Sequence, residues 1–169
     1  TAGYGGVNVG DPRRFDAFAK LIERHVHVSA SVADVAGGKG YLQSAMRQRG
    51  YRSIVSWDKR KRCATGRAGY RYGWFDHRTA PAYDAVVAMH PDEGTDHAIL
   101  YAIEHGVTAL VCPCCIKPHA TTYWGDGNYR DWCRHLSGLA ARGKRRPVWT
   151  TLPIVGRSDV LIVNPGVSA

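Results

Sequence analysis

The chain has 169 residues, a length typical of a single domain with its own hydrophobic core. Its formal net charge of +9 favours a polyanionic partner, with nucleic acid ahead of an acidic surface. No apolar run of about eighteen residues predicts a transmembrane helix, and neither a signal pattern nor a spaced cysteine framework predicts a secreted disulfide scaffold, so we expect a soluble, cytoplasmic protein with reduced thiols.

Strand and helix patterns alternate through the chain, and a hairpin finishes it. We expect residues 1–10, which are rich in glycine, to form a flexible arm before a single domain. The predicted elements that follow are a helix over 11–25, a strand that opens the stretch 31–41, a helix over 41–50, strands over 53–58, 70–76 and 83–90, a helix ending at 106, a strand over 107–115, a helix over 128–143, and two antiparallel strands over 147–155 and 158–165. The connection between the second and third strands is too short for an ordinary helix with its loops, so we expect that edge of the sheet to be poorly covered.

The stretch 31–41, SVADVAGGKGY, has the pattern of a strand, a tight turn and a helix start. An apolar run with the β-branched Val32 and Val35 is followed by glycines at 37, 38 and 40. Glycines let the backbone approach a ligand closely, and a helix amino terminus offers unpaired N–H groups to it. The stretch therefore predicts a nucleotide-type cradle; the alternative is a plain strand-to-helix connection.

A carboxylate and a basic run follow the second predicted strand. Asp58 stands about twenty residues beyond the glycine turn, where an acid can accept both hydroxyls of a ribose. The alternative is a solvated turn aspartate. Residues 59–62 then form a basic run beside the poorly covered edge, which we interpret as a docking surface.

The alternating order, the glycine turn, the acids after the second and third strands and the terminal hairpin together resemble the Rossmann-like, S-adenosylmethionine-dependent methyltransferases. The resemblance covers nearly all of the chain. It implies an α/β fold with a mostly parallel central sheet, a C-terminal antiparallel hairpin and helices on both faces, and it implies S-adenosylmethionine as the cofactor. An NAD-binding oxidoreductase fits less well, because the dinucleotide fingerprint spaces its three glycines differently.

The same resemblance implies a set of cofactor-binding residues. In that family an acid followed by alternating glycines forms the turn, and Ala36 stands here in place of the usual first glycine. By this match the acid at 58 binds the ribose, residues 76–77 lie beside the adenine, and residues 89–92 face the methyl group. The implied cofactor-binding residues are Asp34, Ala36, Gly37, Gly38, Gly40, Asp58, Asp76, His77 and Met89.

Two predicted exit loops carry a narrower resemblance. MHPDEGTD at 89–96 and VCPCCIKPH at 111–119 are similar to a histidine loop and a double-cysteine loop of the transfer-RNA 2′-O-methyltransferases that modify the acceptor stem, and of their methyltransferase-like relatives. Cys114 and Cys115 match that family. Pro91 and Asp92 stand where it usually has a cysteine and a glycine.

Methyl transfer to a hydroxyl or an amine needs a group that holds the acceptor in line and removes its proton. The candidates are His90, Asp92, Lys117 and His119, because each follows a central strand, where ligands of open α/β sheets bind. Another branch of ribose methyltransferases uses a Lys-Asp-Lys-Glu tetrad. Lys20, Asp92 and Lys117 of this chain lie on elements roughly comparable to those that carry the tetrad. The glutamate is missing, and in the last hairpin only Asp159 is available to take its place.

The cysteine run at 112–115 has three interpretations. It could bind zinc with help from Cys133, His90 or His119, since zinc needs four tetrahedral ligands. It could attack a base as an activated thiolate. The plainer interpretation, which we favour, is that small cysteines line the floor of a pocket without a metal.

We predict a methyltransferase that uses S-adenosylmethionine to methylate a ribose hydroxyl or a base of RNA, with or without a partner subunit. The alternatives are a small-molecule methyltransferase and a catalytically silent cofactor-binding subunit of a larger assembly. Aromatic rings stack on nucleobases and basic side chains hold phosphates, whereas Trp132 falls on the core face of its helix. The predicted substrate-binding residues are Lys59, Arg60, Arg62, Cys114, Cys115, Tyr123 and Trp124.

Overall fold

The structure, a computed structural model, describes residues 10–64 and 68–165, without the side chains of residues 62 and 64. The predicted arm, apart from Gly10, and the predicted substrate-binding side chain of Arg62 lie outside the described residues. The helices are α1 (Arg14–Glu23), α2 (Tyr41–Gln48), α3 (Lys61–Ala64), α4 (Thr95–His105) and α5 (Tyr129–Arg142). The strands are β1 (Val32–Val35), β2 (Ile54–Asp58), β3 (Tyr70–Tyr72), β4 (Ala85–Met89), β5 (Thr108–Cys112), β6 (Pro147–Thr151) and β7 (Asp159–Val163).

The seven strands form one sheet in the order β3-β2-β1-β4-β5-β7-β6. The first five strands pair in parallel, and β7 lies antiparallel between β5 and β6. The predicted α/β class, the mostly parallel sheet and the C-terminal antiparallel hairpin are confirmed. The chain runs outward from β1 to β2 and β3 and then returns to β4 on the other side, so the order reverses between β1 and β4.

Helices cover both faces of the sheet, which explains why the central strands are almost continuously apolar. Every residue of β1, β4 and β5 is buried, as expected for parallel strands that are packed on both sides. One core cluster joins α4 and α5 to the sheet through Ile99, Trp132 and Leu136, and the other joins α1 and α2 through Phe18 and Met46. The prediction that Trp132 belongs to the core is confirmed, since its side chain is fully buried.

The β3 edge of the sheet has little cover. Only the four-residue α3 stands in the described part of the connection between β2 and β3, in agreement with the prediction. The third strand is shorter than predicted, because it ends at Tyr72 instead of 76. Gly73 has φ +141° and Asp76 opens a turn, accepting the Arg78 N–H at 2.9 Å. This shortening changes which residues reach the site described below.

Within residues 10–64 and 68–165, no helix has the length and apolar character needed to cross a bilayer.

Candidate active site

A cavity of about 240 Å³ opens at the carboxyl ends of β1, β2 and β4, beside the point where the strand order reverses. Ligands of open α/β sheets bind at this kind of switch point. Its walls combine aromatic and apolar side chains with carboxylates and two basic residues, as binding sites for organic cofactors do. The lining residues are Val35, Ala36, Trp57, Asp58, Lys59, Arg60, Gly73, Trp74, Phe75, His90, Pro91, Asp92, Glu93 and Gly94.

The turn after β1 reaches the cavity through Ala36. This residue has φ +56°, a left-handed conformation that favours glycine, which explains why alternating glycines suit this turn. Gly37 packs so closely that a Cβ on it would lie 2.3 Å from Asp34 Oδ2. Gly37, Gly38 and Gly40 do not line the cavity; they shape the turn from behind Ala36.

The predicted cofactor ligand Asp34 is buried instead of facing the cavity. Its side chain is 1% exposed and accepts a hydrogen bond from Ser56 Oγ at 2.7 Å. Burial raises the pKa of Asp34 to about 7, against the lowering effect of the Ser56 hydrogen bond. The acid therefore supports the turn from within the sheet.

Asp58, the predicted ribose ligand, stands at the end of β2 and lines the cavity. Its Oδ2 accepts the Gly38 N–H at 2.9 Å, and its Oδ1 accepts the Arg60 N–H at 2.8 Å. The Arg60 guanidinium also binds both oxygens, at 3.0 and 3.2 Å. Burial alone would raise the pKa of Asp58, but the hydrogen bonds from Arg60 hold it below its ordinary value. The carboxylate is therefore charged, and a ligand hydroxyl that binds it must displace the Arg60 side chain.

Trp74 and Phe75 form the wall of the cavity that the prediction gave to Asp76 and His77. Because β3 ends early, Gly73, Trp74 and Phe75 pass the cavity, and the next two residues turn towards α4. Phe75 packs edge-on against Trp57 at 5.6 Å between ring centroids. The structure therefore does not bring Asp76 and His77, which the resemblance placed beside the adenine, to the cavity.

The loop after β4 contributes two strained residues to the cavity. His90 has φ +49° and Asp92 has φ +51°, and non-glycine residues persist in this conformation where the surrounding structure enforces it, often at functional sites. His90 Nε2 lies 2.9 Å from the Arg157 carbonyl. Because Nε2–H donates to that oxygen, Nδ1 keeps the lone pair. Burial lowers the pKa of His90, so this nitrogen can accept a proton at neutral pH.

The resemblance implied that Met89 faces the methyl group of the cofactor, but Met89 does not line the cavity. Its side chain is 7% exposed and packs in the cluster that contains Phe18 and Ile22. The sheet is covered on that face by α1, so the last side chain of β4 points into the core. The residues that reach the cavity begin one position later, at His90.

Asp92 connects the cavity to the double-cysteine loop. Its Oδ1 accepts hydrogen bonds from Cys114 and Cys115, at sulfur-to-oxygen distances of 3.3 and 3.0 Å. Its Oδ2 lies 3.3 Å from Lys117 Nζ. Burial would raise the pKa of Asp92, but these partners hold it below its ordinary value. Lys117 and the two cysteines do not line the cavity themselves. They contact it only indirectly, by holding the Asp92 carboxylate in position.

The cysteines of this loop are poor nucleophiles. Burial raises the pKa of Cys112 to about 12 and also raises that of Cys114 and Cys115, whose thiols donate to Asp92. A thiolate is the reactive form of cysteine. Thiol attack on a base is therefore disfavoured, and Cys112, which is fully buried, belongs to the core.

His119 lies beside the cavity wall rather than in it. Its ring stacks on Trp74 at 4.7 Å between centroids, and its Nδ1 lies 2.8 Å from His97 Nε2. Asp96, which was not predicted as a site residue, anchors this loop: its Oδ2 accepts the backbone N–H groups of residues 119–121 and the Thr121 hydroxyl, at 2.9 to 3.0 Å. The Thr-Asp pair at 95–96 was the sequence signal for this anchor.

Of the two predicted stacking residues, only one is exposed. Tyr123 packs edge-on against Trp132 at 5.4 Å, and its hydroxyl is buried, so it cannot stack on a base without leaving the core. Trp124 is 90% exposed. Lys20 of the tetrad is exposed on α1 and does not line the cavity, and Asp159 lines a different groove.

That groove, of about 530 Å³, lies between α5 and the β6–β7 hairpin. The Arg157 guanidinium lies 3.7 Å from the centre of the Tyr129 ring. Because the Arg157 carbonyl also binds His90, the groove and the cavity share a wall. The other lining residues are Arg130, Cys133, Arg134, Ser137, Trp149 and Asp159.

The opposite lip of the cavity carries Lys59. Its Nζ pairs with Glu93 at 3.0 Å and lies 4.7 Å from the centre of the Trp74 ring. The side chain therefore spans from the β2 loop to the β4 loop over the cavity. Basic groups therefore stand at this lip of the cavity and in the groove beyond His90.

Solved structures similar to this chain include several methyltransferases. The sugar N-methyltransferase KedS8 from Streptoalloteichus sp. is 12% identical with a TM-score of 0.62, covering 99% of this chain and 97% of that chain. Magnesium protoporphyrin IX methyltransferase from Synechocystis, solved with bound S-adenosylmethionine, is 15% identical with a TM-score of 0.59, covering 96% and 86%. PH1948 of Pyrococcus horikoshii, provisionally assigned as an RNA methyltransferase, is 15% identical with a TM-score of 0.58, covering 92% and 83%.

The chain has the fold of the Rossmann-like, S-adenosylmethionine-dependent methyltransferases. At these identities the likeness concerns the fold. Of some other similar structures, such as the calicheamicin methyltransferase CalO1, the chain spans 54% of the length. At the level of sequence, neither a family model nor a curated protein matches the chain. The narrower resemblance to transfer-RNA 2′-O-methyltransferases therefore stays a prediction.

Proposed function

We propose that the protein is an S-adenosylmethionine-dependent methyltransferase that acts on RNA. The observation that carries the proposal is the cavity at the strand switch point, which brings the Ala36 turn, Asp58 and His90 together in a methyltransferase fold. When bound, the cofactor would supply a methyl group on a sulfonium.

The residues present fit an adenosyl group. Asp58 is charged and lies at the end of β2, where it would accept the ribose hydroxyls once the Arg60 side chain swings out. Trp57, Trp74 and Phe75 offer apolar ring surfaces for the adenine. The Ala36 turn leaves only a methyl group on the wall next to the amino-acid end, and Gly37 cannot carry any side chain there.

His90 is the best-placed base. Its Nδ1 carries the lone pair because Nε2–H donates to the Arg157 carbonyl, and its lowered pKa keeps the imidazole neutral. Asp92 and Lys117 form a charged pair beside it, which would orient an acceptor hydroxyl or amine. We assign His90 to proton removal and Asp92 to positioning.

RNA as the substrate is supported by charge and by surface chemistry. The net charge of +9 favours a polyanion, and the groove beyond His90 presents Arg130, Arg134 and Arg157 beside the Tyr129 ring. Guanidinium groups bind phosphates in a bidentate manner, and aromatic rings stack on unpaired bases. The exposed Trp124 lies in the loop before α5 and adds a second stacking surface.

The first experiment tests the cofactor. Calorimetric titration with S-adenosylmethionine, S-adenosylhomocysteine and NAD should show binding of the first two only. Asp58→Ala removes the acceptor of two ribose hydroxyls, each worth about 1.5 to 3 kcal/mol at a charged partner, and should weaken binding at least about 100-fold. Asp126→Ala, in an exposed loop, is the control and should leave it unchanged. Binding of NAD alone would overturn the proposal.

The second experiment tests the substrate. Transfer of a radioactive methyl group to total RNA should be abolished by ribonuclease, and its KM should rise steeply with salt because phosphate contacts release counterions. The double variant Arg130→Ala/Arg134→Ala should raise KM for RNA and leave cofactor binding intact. Label that enters only small molecules would instead establish the small-molecule alternative, and cofactor binding without any transfer would indicate a silent subunit.

A further inference from the structure

Two buried histidines meet next to the cavity wall without a role in the proposed reaction. His77, after β3, and His97, on α4, are each 5% exposed, and their Nδ1 atoms lie 2.9 Å apart. Asp76 Oδ1 lies 3.8 Å from His77 Nδ1. These three atoms, from residues that are up to 21 positions apart in the sequence, all fall within 4.8 Å of one another.

The outer nitrogens of both rings have acceptors. His97 Nε2 lies 2.8 Å from His119 Nδ1, and His77 Nε2 lies 3.5 Å from a carboxylate oxygen of Glu104. The backbone N–H of His77 points at His97 Nδ1 at 3.4 Å, which requires a lone pair on that nitrogen. A neutral imidazole carries a single N–H. The proton of His97 is therefore on Nε2, whereas His77 can donate from its Nδ1 to His97 Nδ1 at 2.9 Å.

The two Nδ1 atoms, 2.9 Å apart, and the Asp76 oxygen therefore lie around one small space. An ion in that space would replace the hydrogen bond between the rings, and the His77 proton would move to Nε2, which faces Glu104. In known metal sites a ligating histidine donates its other N–H to a carboxylate, a carbonyl or a similar acceptor. Glu104 and His119 are placed to serve as these outer acceptors.

We propose that Asp76, His77 and His97 bind a divalent transition metal ion, zinc in the first place, with a fourth position open to water. Zinc accepts this nitrogen and oxygen donor set at about 2.0 to 2.2 Å in tetrahedral geometry, which separates neighbouring ligand atoms by about 3.3 to 3.5 Å. The observed separations of 2.9 and 3.8 Å lie on either side of that value.

The ion would tie the segment after β3 to α4. The residues immediately before Asp76 are Trp74 and Phe75, which form the aromatic wall of the cavity. Trp74 also stacks on His119, the outer partner of His97. Metal binding would therefore hold this wall in place, and removal of the metal should loosen it whether or not the cavity binds S-adenosylmethionine.

Asp92, Cys114 and Cys115 form a second cluster whose ligand atoms lie within 4.8 Å of one another, and the experiment must separate the two. The thiols there donate to Asp92 and burial raises their pKa, so that cluster is satisfied by its own hydrogen bonds. The histidine cluster instead offers two buried imidazole nitrogens and a carboxylate oxygen, a donor set that zinc accepts and that needs no thiol to lose its proton. Cobalt reports the difference directly, because thiolate ligands add a charge-transfer band in the near ultraviolet that nitrogen and oxygen ligands lack.

The test is zinc stoichiometry of the full chain by elemental analysis after dialysis against zinc and then buffer, together with the cobalt spectrum. We expect one zinc ion per chain, tetrahedral cobalt bands without thiolate charge transfer, and a lower thermal midpoint after chelation. His77→Ala/His97→Ala should lose the ion, and Asp76→Asn, at a partly exposed position, should weaken zinc binding at least about tenfold.

The matched controls are Cys114→Ser/Cys115→Ser and His27→Ala. His27 is exposed and lies far from the histidine cluster in the sequence. Both should retain one zinc ion. Wild-type protein without zinc, a thiolate band in the cobalt spectrum, or loss of the ion in the cysteine variant would each overturn the proposal. None of these readouts involves methyl transfer, so the proposed function can fail or stand independently.

Discussion

The substitution Asp34→Asn tests whether this acid is a buried support of the turn. Burial raises the pKa of Asp34 to about 7 from an ordinary 3.8. An acid whose pKa is higher in the folded state binds a proton more tightly there. Its contribution to stability is therefore complete below about pH 3.8 and is lost as the pH rises through about 7.

The magnitude follows from those two values. At about 1.4 kcal/mol per pH unit, the difference between about 7 and 3.8 amounts to about 4 kcal/mol over the full titration. Between about pH 5 and about pH 8, Asp34 alone should lower the free energy of unfolding by about 3 kcal/mol. Asparagine keeps the acceptor for the Ser56 hydroxyl and does not titrate, so the variant should escape this loss.

The assay is urea unfolding of wild type and variant at matched pH values, with the difference in free energy of unfolding taken at each pH. The difference is required because His90 and His97 have lowered pKa values and lose stability in the opposite direction, as the pH falls. We expect the variant to gain on wild type by about 3 kcal/mol from about pH 5 to about pH 8. A difference that does not change with pH would refute the burial of Asp34.

Three further predictions concern the cavity. Gly37→Ala should lower the free energy of unfolding by about 2 to 4 kcal/mol because its Cβ would overlap Asp34. The control Gly138→Ala, in open space on α5, should raise the free energy of unfolding by up to about 1 kcal/mol. Equal effects of the two substitutions in urea unfolding would contradict the tight turn. Arg60→Ala should tighten binding of S-adenosylhomocysteine about two- to fivefold, because it removes the partly exposed Arg60–Asp58 ion pair, worth under about 1 kcal/mol, that competes with the ligand. Weaker binding in calorimetry would instead indicate that Arg60 contacts the ligand. The rate of methyl transfer should fall with acid only below pH 6.5, because burial lowers the pKa of His90 from 6.5 and the protonated imidazole cannot act as a base. His90→Gln should remove this dependence of the rate on acid pH.

The order of elements could be predicted because each signal is local. Helical periodicity, apolar runs and the glycine turn at 37–40 depend on neighbouring residues, and the sheet order then follows from connection lengths and handedness. The position of Asp58 was predicted for the same reason, since the end of a strand after a glycine turn is a place defined by sequence distance. The end of β3 was missed because no local pattern shows where an edge strand with one neighbour stops pairing.

The direction of individual side chains could not be predicted in the same way. Asp34 and Met89 are close in sequence to residues that line the cavity, but their side chains are buried. Side chains of a strand point alternately to the two faces of the sheet, and helices cover both faces here, so a residue inside a strand is directed into the core and not towards the strand ends. Tyr123 likewise packs inward against α5. A resemblance between motifs transfers positions along the chain and does not transfer the packing that orients them.

By itself, the sequence determined an alternating α/β chain with a glycine turn after its first strand and an acid at the tip of its second. Only the tertiary structure decided that Trp74 rather than Asp76 faces the cavity, and that His77 contacts His97 on α4. The physical reason is that strand ends and side-chain meetings depend on contacts between distant segments, which packing selects and local propensity does not encode.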